Sequence, residues 1–231
     1  MSLILHINTA TANAHVSMAR NGLILQSLNN NLQKDHASFL QVAIKQLVNE
    51  TGITLTGLDA IAVTAGPGSY TGLRVGMASA KGLCYALDKP LITINTLLVL
   101  AASAKLPDTY RSGTPAFLCP MIDARRQEVF TALYNLKLEI ILSPCAMILN
   151  ETSFNDRLFK DNILFFGSGS EKWKLICHHH HASFIKADIL AESMSRLTEE
   201  LYLCKNFTEL IESQPIYLKD HITVIKNSEI S

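Results

Sequence analysis

One order of elements occurs twice along this chain, and it limits the fold more than any single motif does. Residues 3–7 (LILHI) form a nearly continuous apolar run, as expected of a strand covered on both faces. Val16 and Met18 then alternate with His15 and Ser17, and Asn21-Gly22 separates this stretch from LILQSL. Asn-Gly between two such runs predicts a type I′ hairpin, because both turn residues need positive φ. A helix is expected over 36–51, where His36, Leu40, Ala43, Leu47 and Glu50 recur at spacings of three and four. Asp35 is its expected N-cap and Gly52 its stop. A strand over 59–64 runs into Gly66-Pro67-Gly68, followed by a helix over 71–87, a strand beginning LITI and a helix over 96–105.

The stretch SAKLPDTYRSGTP (103–115), rich in turn formers, marks a boundary, and beyond it the plan repeats. AFLCPMID, QEVFTALYN and LEIILS read as three strands, and 150–160 as mostly helical. NILFFG is a strand that enters Gly167-Ser168-Gly169, with a helix behind it that Ser168 and Glu171 would cap as a box. ASFIK reads as a strand, 188–204 as a helix and QPIYLK as a closing strand segment. Three strands, helix, strand, Gly-x-Gly and helix, used twice, predict an α/β fold of two related lobes, 1–105 and 106–231.

Composition narrows the function. Charged residues make up 17% of the chain against a usual ~25%, which suits a protein that keeps an apolar face for a partner. Formal net charge is zero, so the chain alone carries no electrostatic footprint for nucleic acid. No apolar run approaches the ~20 residues a membrane span needs, and the first ten residues read as a strand rather than a signal peptide. Five scattered cysteines without C-x-x-C spacing fit reduced thiols and a cytoplasmic setting.

The stretch TAGPGSYTGLR (64–74) has the layout of a phosphate loop but fails both named motifs. Gly66 and Gly72 are one residue too far apart for a Walker A loop, and Leu73 stands where its lysine would be. Thr71 holds the third glycine place of a dinucleotide fingerprint, and no acid follows at the required distance. A tight strand-to-helix turn capped by Ser69 or Thr71, anion binding at the helix N-terminus, and a partner contact all remain open. Ser69 lacks the G-x-S-x-G elbow of a hydrolase nucleophile. Behind the loop, Gly72, Gly76 and Ala80 recur every four residues beside Ser79 and Gly82. Glycine in a helix costs ~1 kcal/mol against alanine, so this stripe implies close approach of another helix, inside the chain or across a subunit interface.

INTATANAHVSMARNG, GPGSYTGLRVGMASAKGL, IDARRQEVF and PIYLKD, in that order, resemble the TsaB (YeaZ) family of tRNA threonylcarbamoyladenosine biosynthesis. The resemblance implies two ribonuclease-H-like lobes of the actin, sugar-kinase and heat-shock chaperone ATPase type. It implies a non-catalytic role beside TsaD, the subunit that transfers threonylcarbamoyl to an adenosine next to the tRNA anticodon. TsaE is then part of the complex, tRNA is reached only through it, and a homodimer of the isolated chain stays open. The partner face implied comprises His36, Leu40, Ala43, Leu47, Ser69, Tyr70, Gly72, Leu73, Gly76, Ser79 and Ala80. ATPases of this superfamily begin with D-x-G-T, where this chain has Asn8-Thr9-Ala10-Thr11; relatives usually keep an acid where Asn8 stands. Asn8, Thr9, Gly167 and Gly169 are therefore expected as degenerate nucleotide contacts at most. No cofactor or metal is expected to bind this chain stably, ATP and metal entering through the partners. His36 lacks the second histidine of a TsaD-like metal pair, since Leu40 follows four residues later. The His178–His181 run is expected as a solvated link, and Arg74, Asp123, Arg125, Arg126 and Glu128 as ion-pairing residues. An active ATPase or small-molecule kinase of the same superfamily is the alternative, and a peptidase a third reading.

Overall fold

The computed structural model describes residues 1–30, 36–105 and 116–219. The first half forms β1 (Leu3–Asn8), β2 (Ala14–Arg20), β3 (Leu23–Asn30), α1 (His36–Thr51), β4 (Ala60–Gly66), α2 (Tyr70–Leu87), β5 (Leu91–Asn95) and α3 (Thr96–Ser103). The second forms β6 (Phe117–Asp123), β7 (Glu128–Asn135), β8 (Ile140–Ile148), α4 (Asn155–Leu158), β9 (Ile163–Phe166), α5 (Ser170–Ile176), β10 (Ala182–Phe184) and α6 (Ala191–Leu203). The two sheets share one topology. Their orders are β3-β2-β1-β4-β5 and β8-β7-β6-β9-β10, the first three strands antiparallel and the last two joining in parallel. These are the two ribonuclease-H-like lobes expected.

Strand periodicity explains the layers. Along β1, Leu3, Leu5 and Ile7 enter a core shared with α1 and α2. Ile4 turns the other way, into a core built from both sheets, α3 and α6. A third core lies on the outer face of the second sheet around Trp173 and Phe165. A strand buried on both faces must be apolar throughout, which is why LILHI does not alternate. Helix α3 lies within the middle layer, with Leu97, Val99, Leu100 and Ala101 buried, and so is apolar around most of its circumference. Helix α6, late in sequence, packs on β1, β2, β3 and β5 of the first sheet as well as on α3.

The local signals held where the chemistry was local. Asn21 and Gly22 have φ 50° and 77°; Gly52 has φ 67° and its N–H bonds to Val48 O at 3.0 Å. Ser69, not Thr71, caps α2, its Oγ accepting from Gly72 N at 3.3 Å. Asp35 lies outside the described residues. The Ser168–Glu171 box does not form: Ser168 Oγ accepts from Asp123 N at 3.1 Å, and no side chain caps α5. QPIYLK joins no sheet, because its recorded backbone bond to the first lobe is Ile216 N–H to Ala65 O at 2.7 Å.

Candidate functional site

A cleft of about 880 Å³ opens between the lobes. Its walls are the first hairpin loop (Ala10–Asn13), the loop 67–71, the second hairpin (Asp123–Arg126), Gly167 and Ser168, and the late residues Ile216–Lys219. A nucleotide would lie here if the hairpins could receive its phosphates.

The first hairpin is filled by the chain itself. Ser69 N–H donates to Ala10 O at 2.7 Å, and Thr9 Oγ1 donates to Gly72 O at 2.7 Å. A Cβ on Gly68 would strike the Ala10 carbonyl oxygen, on Gly72 the Thr9 carbonyl oxygen, and on Gly76 the Thr9 hydroxyl. At Gly72 and Gly76 the stripe therefore admits the chain just after β1 rather than another helix, while Ala80 shares a core with Leu40, Ala43 and Leu47 of α1. The same contacts use up donors at the start of α2: Ser69 N serves Ala10, Gly72 N its cap, and Leu73 N–H donates to Ser69 O at 2.8 Å. Fewer donors at this helix start are thereby left for an anion.

Asn8 and Thr9 are fully buried, beneath the cleft rather than on its walls. Asn8 Oδ1 accepts from Thr64 Oγ1 at 3.0 Å and Ala10 N at 3.3 Å; its Nδ2 donates to Asn13 O and His15 Nδ1, both at 3.3 Å. Every hydrogen-bonding capacity of the amide is used. A carboxylate here would set an oxygen against the Asn13 carbonyl, so the departure from aspartate has a physical reason. Gly167 and Gly169 are also packing positions. Gly167 has φ 95° and lies against the Met121 carbonyl, whereas a Cβ on Gly169 would come within 2.7 Å of Val129. Gly167 does reach the cleft wall; Gly169 does not.

In the second hairpin, Arg125 and Arg126 turn the chain in the left-handed region at φ 67° and 49°. Asp123 Oδ1 accepts from Arg125 N at 2.6 Å and from Lys172 Nζ at 2.7 Å. Glu128 is ion-paired with Lys219. Arg74 pairs with aromatics: its guanidinium lies 4.0 Å from the Tyr70 ring centroid, and its Nε donates to Tyr217 Oη at 3.1 Å. Among the described residues no cluster of three or more His, Cys, Asp or Glu is placed to hold a metal. The run His178–His181 packs as a link. His181 Nδ1–H donates to Leu158 O at 2.7 Å, His179 Nδ1 accepts from His181 N at 3.2 Å, and the His179 ring meets Phe159 edge-on.

Two buried histidines complete the polar layer under α6. His6 Nε2–H donates to Thr198 Oγ1 at 2.8 Å, the hydroxyl proton going to Met194 O. Burial, and secondly His15, lowers the His6 pKa to about 3; burial lowers that of His15 to about 4. Both rings are neutral at pH 7 and sealed from solvent, so neither supplies a proton to the cleft.

Most of the residues expected on a partner face are buried within the chain. Leu40, Ala43 and Leu47 are core residues, as are Gly72, Leu73, Gly76 and Ala80. Ser69 and Ser79 are half-buried, Ser79 Oγ accepting from Gln41 Nε2 at 3.3 Å, and Tyr70 is exposed. The His36 side chain lies outside the described residues. Among the polar residues that the two helices present outward lie Val42, Ala78, Gly82 and Tyr85, with Val42 66% and Tyr85 84% accessible. A Cβ on Gly82 would meet nothing within 4 Å. Ala78, Gly82 and Ala86 repeat at a spacing of four, one face round from Gly72, Gly76 and Ala80.

A family model described as "TsaD: tRNA N6-adenosine threonylcarbamoyltransferase" matches residues 29–227. The tRNA threonylcarbamoyladenosine biosynthesis protein TsaB of Haemophilus influenzae is 27% identical over 235 residues, covering 95% of this chain and 94% of that protein. TsaB of Bacillus subtilis is 33% identical over 134 residues, 58% of this chain and 56% of its own length. A tRNA N6-adenosine threonylcarbamoyltransferase of Ruegeria pomeroyi is 44% identical over 73 residues, 32% of this chain and 20% of that protein. Among solved structures, YeaZ from Pseudomonas aeruginosa superposes with a TM-score of 0.74 at 25% identity, covering 94% of this chain and all of that one. A family match over most of the chain, together with whole-length likeness in sequence and in fold, makes this chain a member of that family, on its TsaB (YeaZ) branch.

Proposed function

We propose that this chain is the non-catalytic partner of a TsaD-type transferase, needed for threonylcarbamoylation of the adenosine beside the anticodon in tRNA. The observation that carries the reading is the first hairpin, which packs directly on the start of α2 through Thr9 and Ala10 and engages the Ser69 N–H there. The buried Asn8 amide points the same way, since it leaves no free carboxylate for a cation. The docking face is the exposed surface of α1 and α2, where Ala78 and Gly82 let a facing helix approach closely and Val42 and Tyr85 supply apolar area. A transferase with a related lobe could present like helices there, which gives a pseudo-symmetric pair. TsaE, ATP, metal and tRNA then belong to the complex, in the cytoplasm, and a homodimer of the isolated chain would compete for the same face.

The test is co-expression with the TsaD of the same organism, sizing of the product and assay of magnesium-dependent ATP turnover by the isolated chain. A stable heterocomplex with no turnover by this chain alone is expected. Turnover by the isolated chain that a first-hairpin substitution abolishes would make it a working ATPase or kinase and overturn the reading.

A further inference from the structure

The chain beyond α6 does not stay with the second lobe. Thr208 N–H donates to Leu91 O at 2.8 Å, and Lys81 Nζ donates to Ile211 O and Ser213 O at 3.2 and 2.9 Å, which lays 208–213 along β5 and the flank of α2. Ile216 N–H then donates to Ala65 O at 2.7 Å. Gly66, at φ 119°, has space for a hydrogen only: a Cβ there would lie 2.6 Å from Ile216 O. Tyr217 places its ring centroid 5.1 Å from that of Tyr70 and accepts from Arg74. Two residues on, the chain has crossed to the other lobe. Lys219 Nζ donates to Ala124 O at 2.9 Å, pairs with Glu128 and lies 5.8 Å from the centre of the Phe130 ring. Ile216–Lys219 thus bridge the two hairpin ends of the cleft, and all four residues line it.

We propose that residues 214–219 are a strap that ties the lobes together across the cleft mouth and limits how far the cleft can open. The base of the cleft is already fixed by the core that both sheets share with α3 and α6. A rocking motion of two such lobes opens the end opposite its hinge, and the strap sits at that end. Its anchors are of a kind that can be released without unfolding either lobe. One is a backbone hydrogen bond, one an arginine between two tyrosines and one a partly exposed ion pair, while Ile216 and Tyr217 each keep 41% of their surface accessible. The strap therefore acts on the access and spacing of the lobes, independently of the outer face of α1 and α2.

The experiment reads access to the cleft wall at Ala187, which lines the cleft. Ala187→Cys is made in a background with Cys145, Cys177 and Cys204 changed to serine, leaving the two buried thiols Cys84 and Cys119. Labelling by a bulky maleimide is then timed for the intact strap, for Tyr217→Ala with Lys219→Ala, and for a chain ending at Ser213. Release of the strap should speed labelling at least tenfold, with unchanged far-UV circular dichroism, and Lys219→Arg should stay slow. If the shortened chain fails to fold, the double substitution decides, with hydrogen exchange at the Ile216 amide confirming release. Labelling within twofold of the intact protein after release would overturn the proposal.

Discussion

Two glycine-to-alanine changes in one helix, α2, should move stability in opposite directions. At Gly72 an added Cβ strikes the Thr9 carbonyl oxygen and lies 3.1 Å from the Thr9 carbonyl carbon. Both are backbone atoms one residue past the paired end of β1, held also by the Thr9 hydroxyl bond to Gly72 O, so neither can swing aside as a side chain would. Overpacking of this kind costs about 1–3 kcal/mol, and losing the buried hydroxyl bond adds about 1 kcal/mol. Against this, alanine recovers about 1 kcal/mol of helix propensity. The net expectation for Gly72→Ala is a loss of about 1–3 kcal/mol. At Gly82 the new methyl meets nothing within 4 Å, so only the propensity term survives and the change should stabilise by about 0.5–1 kcal/mol. Urea unfolding followed by far-UV circular dichroism gives both numbers from the shift in midpoint at constant slope. If Gly72→Ala also raises the midpoint, β1 does not rest on α2 as described, and the account of the filled hairpin fails with it.

Other consequences follow from the buried polar layer. His6 and His15, with pKa values lowered to about 3 and 4, stay neutral in the folded chain while the unfolded chain takes up protons below pH ~6.5. Stability should therefore be complete above pH ~6.5 and fall by up to ~1.4 kcal/mol per pH unit per histidine on acidification towards pH 4. Denaturation midpoints measured across pH 4–7 check this, and His6→Gln should reduce the slope. Asn8→Asp removes the donor to Asn13 O and should cost about 1–3 kcal/mol without conferring magnesium-dependent ATP turnover, read by melting and by phosphate release. Ser69→Ala removes the α2 cap and should cost about 1 kcal/mol, leaving any peptide hydrolysis unchanged because the hydroxyl acts only as a cap.

The sequence was most legible where a feature depends on its neighbours. Asn21-Gly22, the Gly52 stop and the Ser69 cap are local backbone chemistry, and the alternation along β2 or the unbroken apolar run of β1 reports how many faces each strand buries. The glycines of α2 show where that legibility ends. The spacing of Gly72 and Gly76 announced a close approach, but the approaching atoms belong to Thr9, some sixty residues earlier, and helix spacing does not say whether a hairpin or a helix fills the groove. The same holds for α6, whose amphipathic pattern cannot name the sheet it covers, and for QPIYLK, which has strand-like residues but bonds to both lobes through isolated contacts. Site residues chosen from one helix face landed in the core, because an amphipathic helix shows its strongest periodicity on the side that folding hides. The outward face is the quieter one, marked here by Ala78 and Gly82.

The most direct test of the central claim is a reconstituted tRNA modification assay. It would contain the TsaD and TsaE of the same organism, with threonylcarbamoyl-adenylate supplied by a TsaC-type enzyme. This chain would be omitted, added, or added as Gly82→Arg. The account predicts modified adenosine by mass spectrometry only when the native chain is present, with Gly82→Arg folded and as stable as the native protein yet inactive and unable to join TsaD. Full modification without this chain, or with Gly82→Arg, would contradict it.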